Sequence, residues 1–360
     1  MKQYDVIIIG TGAGNIIADA AIRAHKTVAL IERGRHGGTC LNRGCIPTKV
    51  MVTAANLVCE TREGGRIGVL ADHVRLDWDT VSKRLWHKID EGPAIQMYYD
   101  QFANVTTYNG TASFTGKKTM LVAKNDGTSE EIEGKQIFLA TGGRTNIPQL
   151  PGLEEAGYVT SETFFGPKFP QKLYKSLIVI GGGPIGCEFS HVFQTGGTKV
   201  TIVQHNVRLL PKEDEEVSDF MLKQFENRGI DIRLNQDTVS VRVEHGEKVL
   251  TMRNRTSGEV TEVRAEEILV APGIRPMTEL LHLEHTDVQL DKRGYIRTNE
   301  FLETTADGIW AIGDVNGKAP FRHKANYEAE ILSHNFFEGN APENWRWAQY
   351  EAVPAVTYTY

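Results

Sequence analysis

The apolar positions of this chain fall twice into one arrangement. Near the start, Tyr4-Asp5-Val6-Ile7-Ile8-Ile9 is a short β-branched run closed by Gly10. Such a run predicts a strand buried on both faces. Ile16 to His25 has helical composition, and Val28-Ala29-Leu30-Ile31-Glu32 predicts the next strand. The pattern returns at Leu177-Ile178-Val179-Ile180. There it is followed by Gly181-Gly182-Gly183-Pro184-Ile185-Gly186, a helix to about Gln194 and the strand Lys199-Val200-Thr201-Ile202-Val203. Between the two copies, Ile46 to about Cys59 predicts a helix, because Pro47 suits a first turn. Asp77 to Phe102 is amphipathic, with Trp78, Val81, Leu85 and Ile89 at helical spacing, and Gly92-Pro93 is expected to kink or break it. Short strands are expected around Val105–Tyr108, Met120–Ala123 and Gln136–Ala140. Two βαβ starts predict an α/β fold with two Rossmann-like dinucleotide-binding domains. The Pro148, Pro151 and Gly152 region and Ala271-Pro272-Gly273 read as the crossings between them.

The glycines in each turn have separate tasks. The first permits the tight turn, the second lets backbone approach a pyrophosphate, and the third lets helix and strand pack closely. The phosphates then sit at a helix N-terminus. The first copy carries Gly10, Gly12 and Gly14, with Asn15 where the third glycine is expected. Glu32 ends the following strand 20 residues beyond Gly12, a spacing that suits a carboxylate on an adenosine ribose. The second copy is complete, with Gly181, Gly183 and Gly186. Its strand ends at Val203-Gln204-His205, so a neutral Gln204 stands where an NAD site favours an acid. That absence of carboxylate repulsion, with His205 and Arg208 nearby, leans toward NADP over NAD.

A net charge of -6 gives no reason to expect nucleic acid or an acidic membrane surface as partner. No apolar run approaches the roughly 18 residues of a spanning helix. Val6-Ile7-Ile8-Ile9 is too short for a signal-peptide core. Only four cysteines occur, so a disulfide scaffold is not expected and a cytoplasmic location is the default. Two of the four, Cys40 and Cys45, lie in Gly37-Gly38-Thr39-Cys40-Leu41-Asn42-Arg43-Gly44-Cys45-Ile46-Pro47-Thr48-Lys49, close behind the first glycine turn. A pair so placed suggests a disulfide made and broken by redox chemistry. The alternatives are two structural thiols or half of a zinc site. No partner pair with metal spacing is present, since Cys59 and Cys187 stand apart, and no metal is expected.

With these motifs assembled, the chain resembles the pyridine nucleotide-disulfide oxidoreductases, the family that includes dihydrolipoamide dehydrogenase, glutathione reductase and mycothione reductase. Gly38-Thr39-Cys40 through Cys45-Ile46-Pro47-Thr48-Lys49 carries the resemblance most specifically. Further matches are Ala140-Thr141-Gly142-Gly143-Arg144, Ala271-Pro272-Gly273-Ile274-Arg275-Pro276 and Thr304 through Ile312-Gly313-Asp314. The resemblance implies FAD at the first glycine turn and NAD(P) at the second. Gly38, Thr39, Thr141, Gly142, Gly273, Gly313 and Asp314 become cofactor-binding candidates, with Asp314 on the flavin's ribityl or pyrophosphate region. It also implies a discontinuous FAD domain, 1–148 with 272–344, around an NAD(P) domain, 149–271.

By the same resemblance, Cys45 lies against the flavin and Cys40 is the interchange thiol that meets a small disulfide or dithiol substrate. Lys49 pairs with Glu188 near the flavin's reactive edge. The opening of a helix near Ile46 favours a thiolate at Cys45. The substrate is not readable from these residues. The family continues into an interface domain that forms a homodimer and supplies a histidine–glutamate acid/base pair. Residues 345–360 read as the start of that domain, so the expectation is a truncated product. For such a chain, a diaphorase or NAD(P)H oxidase, or a non-catalytic flavin-binding protein, is the alternative. Mercuric ion reduction is not expected, because no C-terminal cysteine pair occurs.

Overall fold

The protein is described here by a computed structural model covering residues 1–360. Packing divides the chain into two compact units. One comprises Met1–Asn42, Asp90–Arg144 and Arg275–Ala355; the other comprises Arg43–Ile89, Thr145–Ile274 and Val356–Tyr360.

In the first unit the strands Val105–Phe114, Val28–Glu32, Lys2–Ile9, Ser129–Leu139 and Ile309–Ala311 lie side by side and parallel. Val6 is opposite Val28, and Ile7 is opposite Ile137. Alternate residues of a strand face opposite sides, so a sheet covered on both sides needs a continuous apolar run. Val6 and Ile8 pack with Ile17, Ala18 and Ala21 of the helix Gly14–Arg23 and with Ala329 and Leu332 of the helix Arg322–Phe337. Ile7 and Ile9 pack on the other side with Tyr108, Met120 and Ile137. The strand Thr119–Lys124 pairs antiparallel with the far parts of Val105–Phe114 and Ser129–Leu139.

The second unit repeats this plan. Its parallel sheet runs Glu267–Val270, Ser176–Ile180, Lys199–Val203, Asp231–Arg233. A three-stranded antiparallel sheet is formed by Gln236–Glu244, Glu247–Asn254 and Val260–Ala265. Leu177 and Val179 share a core with Met51 and Val52 of the helix Cys45–Glu63 and with Cys187, Phe189 and Phe193 of the helix Pro184–Thr195. Ile178 and Ile180 face Leu150, Leu250 and Met252.

The expected domains differ from these packing units in one large respect, because Arg43–Ile89 packs with the second unit. Met51, Ala55, Trp78, Val81 and Leu85 are buried in that unit's core, and burial of a Met, Val or Leu side chain contributes about 1.5–3 kcal/mol. The expected long helix is two, Trp78–Ile89 and Gly92–Tyr99, with the break at Asp90-Glu91 and Pro93 in the first turn of the second. Of the segment 345–360, Ala348 is buried in the first unit, and Val356–Tyr360 belongs to the second. No helix is long and apolar enough to cross a membrane.

Candidate functional site

The two glycine turns are built alike. Gly10 has φ +103 and Gly181 has φ +113, and a Cβ on either would lie 2.3 Å from a backbone oxygen, of Ala140 and Ala271 respectively. Only glycine fits there. The third task falls to Gly14 in the first turn, where a Cβ would lie 2.8 Å from Ile8 Cγ2, and to Gly186 in the second, where it would lie 2.0 Å from Gly181 O. So Gly14, not the Asn15 position, makes the close helix–strand approach. The second glycines are different. At Gly183 a Cβ would meet nothing within 4 Å, and at Gly12 nothing nearer than Arg322 Nη1 at 3.8 Å and Gly38 Cα at 3.9 Å. Packing within the protein gives no reason for glycine at either place. An open cradle at the start of a helix fits a pyrophosphate.

Glu32 is tied into the first turn. Its Oε2 accepts from Thr11 N at 3.1 Å and Thr11 Oγ1 at 2.8 Å, and its Oε1 accepts from Gly34 N at 3.0 Å. A carboxylate offers about four acceptor sites, so these donors fix its direction and leave room for a hydroxyl. Gln204 stands in the matching place, and its Oε1 accepts from Gly182 N at 3.0 Å. Gln204 is buried, however, and its Nε2 donates to Arg208 O at 3.2 Å. His205 is exposed and faces Asp237 at 2.9 Å, and Arg255 Nε reaches the same carboxylate at 3.5 Å. Sequence reading missed Asp237 and Arg255, which come from the next sheet and carry no local signal.

The cysteine segment starts on the first turn. Gly37 N donates to Thr11 Oγ1 at 3.0 Å, so one hydroxyl links Glu32, the glycine turn and this segment. A Cβ on Gly38, at φ +70, would lie 2.5 Å from Gly12 Cα. Gly38, Thr39 and half-buried Cys40 then lie in the short helix Gly38–Arg43, steadied by Asn42 Nδ2 donating to Arg35 O, His36 O and Gly38 O. Cys45 is exposed and opens the helix Cys45–Glu63. Cys187 is buried, and burial pushes its thiol pKa up, as befits a packing residue.

Lys49 and Glu188 come together in the second unit. Lys49 Nζ donates to both oxygens of buried Glu188, at 2.8 and 2.7 Å. The backbone N–H of Tyr358 donates to the same carboxylate at 3.0 Å, and Lys49 Nζ sits 4.3 Å from the Tyr358 ring centroid.

Asp314 lies half-buried in the turn Gly313–Asn316. Burial raises its carboxyl pKa, the Lys324 ammonium opposes that, and Glu328 adds to it. Behind the turn is a buried network. Glu328 accepts from Gly313 N at 2.7 Å, Asn316 Nδ2 at 2.9 Å and Tyr350 Oη at 2.6 Å, and pairs with Lys324 Nζ at 3.1 Å. The i,i+4 spacing of Lys324 and Glu328 on one helix was the available signal for it. Thr141 Oγ1 donates to Met277 O at 2.8 Å, and Gly142 has φ +71 with nothing near its missing Cβ. Gly273, at φ +132, is equally open. The ligand atoms of His282, Glu284 and His285 lie within 4.8 Å of one another on an exposed turn, and none of the residues above is among them.

Comparison with known proteins agrees with this architecture. The family profile for "Pyridine nucleotide-disulphide oxidoreductase" matches residues 4–352. A dihydrolipoyl dehydrogenase of Zymomonas mobilis is 34% identical over 337 residues, covering 92% of this chain and 70% of that protein. A mercuric reductase of Streptomyces lividans is 32% identical, covering 99% of this chain and 74% of that protein. Among solved structures, the Cu(II) complex of the HOCl-induced flavoprotein disulfide reductase RclA from Escherichia coli superposes with a TM-score of 0.82 at 29% identity, covering 93% of this chain and 71% of that one. The chain belongs to the pyridine nucleotide-disulphide oxidoreductases, a family of flavin-dependent enzymes that uses FAD and NAD(P)H.

Proposed function

We propose that this chain is an NAD(P)H:disulfide oxidoreductase whose redox pair is Cys40 and Cys45. The observation that supports this most is local to one turn. Gly12 is open as a cradle, and the segment carrying Cys40 is packed on that same glycine through Gly38. FAD, when bound, supplies the two-electron link between a nicotinamide and a disulfide. In this reading Gly10, Gly12 and Gly14 seat its pyrophosphate, Glu32 its ribose and Asp314 its ribityl or pyrophosphate region. Gly181, Gly183 and Gly186 seat the nicotinamide dinucleotide, with NADP favoured over NAD by the neutral Gln204.

The residues' own chemistry follows. The Cys40 thiolate attacks one sulfur of a small disulfide, forming a mixed disulfide and expelling a thiolate that takes up a proton. The Cys45 thiolate then attacks Cys40 Sγ, releasing the second thiol and leaving the Cys40–Cys45 disulfide. Lys49, held by Glu188, supplies a fixed positive charge for the negative charge that develops during reduction. The resemblance to dihydrolipoyl dehydrogenases favours a lipoamide-type dithiol or disulfide as substrate. The test is spectroscopic. In the flavin-loaded protein, Cys40→Ser should retain the long-wavelength absorbance of a thiolate beside the flavin, and Cys45→Ser should lose it. The reverse pattern would mean the two roles are exchanged, and its absence from both would remove the redox reading.

A further inference from the structure

We infer that Arg322 is a phosphate-binding residue of the first glycine turn, assigned to no task by the motifs of the sequence. The inference rests on the reading of that turn as the FAD site. Arg322 opens the helix Arg322–Phe337, far along the chain from Gly12. Its Nη1 nonetheless stands 3.8 Å from the place a Gly12 Cβ would take, nearer than any other atom there. The guanidinium therefore borders the open side of the one glycine in this turn that internal packing does not explain.

Its surroundings do not account for that position. The other arginines of this unit include Arg35, paired with Asp90, and Arg144, paired with Glu279. No carboxylate lies within ion-pair distance of Arg322, and no hydrogen bond holds its side chain. Its neighbours on the same helix are otherwise engaged. His323 Nε2 meets Pro354 O at 2.6 Å, and Lys324 is committed to Glu328 and Asn316. A planar guanidinium offers five N–H donors in a fork that matches phosphate oxygens. At the mouth of a glycine cradle, its complement is a diphosphate. Glu32, the carboxylate of this turn, is not within ion-pair distance of Arg322 and is held by Thr11 and Gly34 instead.

The test separates the parts of the cofactor. Apoprotein and Arg322→Gln apoprotein are titrated with FAD by flavin fluorescence, and with ADP and riboflavin by calorimetry. Loss of charge-assisted bonds to phosphate should weaken FAD and ADP by about tenfold or more, and by similar factors. Any riboflavin affinity should not change, because riboflavin has no phosphate. Arg322→Lys should restore part of the loss, and the wild-type advantage should shrink as salt is raised. If the wild type binds FAD and Arg322→Gln binds FAD and ADP equally well, the inference is wrong and the FAD reading stands. If the wild type binds neither FAD nor ADP, both fail together.

Discussion

Removing one half of the buried Lys324–Glu328 pair should cost far more from one side than from the other. The Lys324 and Glu328 side chains are 1% and 0% exposed, so neither can recover water without opening the structure. Breaking such a pair costs about 3–5 kcal/mol, because the survivor is left as an uncompensated charge. The survivors differ here. In Lys324→Met, the Glu328 carboxylate keeps the Gly313, Asn316 and Tyr350 donors, so the loss should fall near the lower end, about 3 kcal/mol. In Glu328→Met, Lys324 keeps hydrogen bonds only to the neutral Asn316 Oδ1 at 3.0 Å and Gly313 O at 3.3 Å, besides the Coulombic attraction of Asp314. Three donors also lose their acceptor, at about 1–3 kcal/mol for each that stays dry. Glu328→Met should therefore cost about 5 kcal/mol or more. The double variant removes both charges and should recover part of that loss. The pH dependence has a definite sign. Burial lowers the Lys324 pKa below its usual 10.5, and Glu328 is the main group opposing that. Without Glu328, the native state sheds this proton well before the unfolded chain does. In that window the unfolded chain binds more protons, so stability rises with pH by up to about 1.4 kcal/mol per pH unit. The Glu328→Met deficit should then shrink as pH rises toward the usual lysine pKa of 10.5. Hydrogen exchange of the segment 313–337, read by mass spectrometry, measures the local opening. An equal or larger cost for Lys324→Met, or a Glu328→Met deficit that grows with pH, would refute the reasoning.

His191 is buried, with Nε2 on Asn56 Oδ1 at 2.7 Å and Arg228 nearby, and burial lowers its pKa from 6.5 to about 4. The unfolded chain binds the extra proton between those values, so stability should fall as pH drops through them, by roughly 3 kcal/mol in all. Urea midpoints against pH should flatten in His191→Gln, and an unchanged slope would show that another group carries the acid sensitivity. Glu32→Ala removes the acceptor of Thr11 and Gly34 as well as the proposed ribose contacts, so FAD retained after dialysis should drop about tenfold or more. Full occupancy would detach Glu32 from the cofactor. Gln204→Glu exchanges the donor to Arg208 O for a carboxylate oxygen, which should cost about 1–3 kcal/mol of stability. It should also move the ratio of flavin reduction rates toward NADH, and a ratio that does not move means that this position does not read the ribose.

The parts of the fold that were legible in the sequence are those set by local chemistry. A β-branched run such as Val6–Ile9, stopped by a glycine, reads as a strand covered on both faces, and the close approach at Gly10 admits only glycine. What was not legible depends on which face meets which. The helices Cys45–Glu63 and Trp78–Ile89 have apolar stripes that fit any core, and only the packing shows that they join the second unit. Arg322 was invisible for a related reason, because nothing in its own neighbourhood announces a partner at Gly12. Asn15 looked like a departure from the glycine pattern, yet Gly14 makes the close approach to Ile8, while Asn15 Oδ1 is buried without a hydrogen-bond partner.

The two glycine turns show how one backbone device can be set to different chemistry by one side chain. In each, the residue between the first and second glycines sends its backbone N–H to the side chain that ends the next strand: Thr11 to Glu32, and Gly182 to Gln204. This bond holds the turn against the sheet whether the acceptor is a carboxylate or an amide. The strand-end residue is therefore under two demands. The structural one is met by either oxygen, since the distances are 3.1 and 3.0 Å. In the function proposed above, the second concerns the charge shown to a ribose, where a carboxylate and an amide differ by a full unit. Glutamate and glutamine are interchangeable for the first demand and opposite for the second. In that reading the strand-end position sets which dinucleotide a site prefers while the turn itself stays the same, and the reduction-rate ratio of Gln204→Glu tests it.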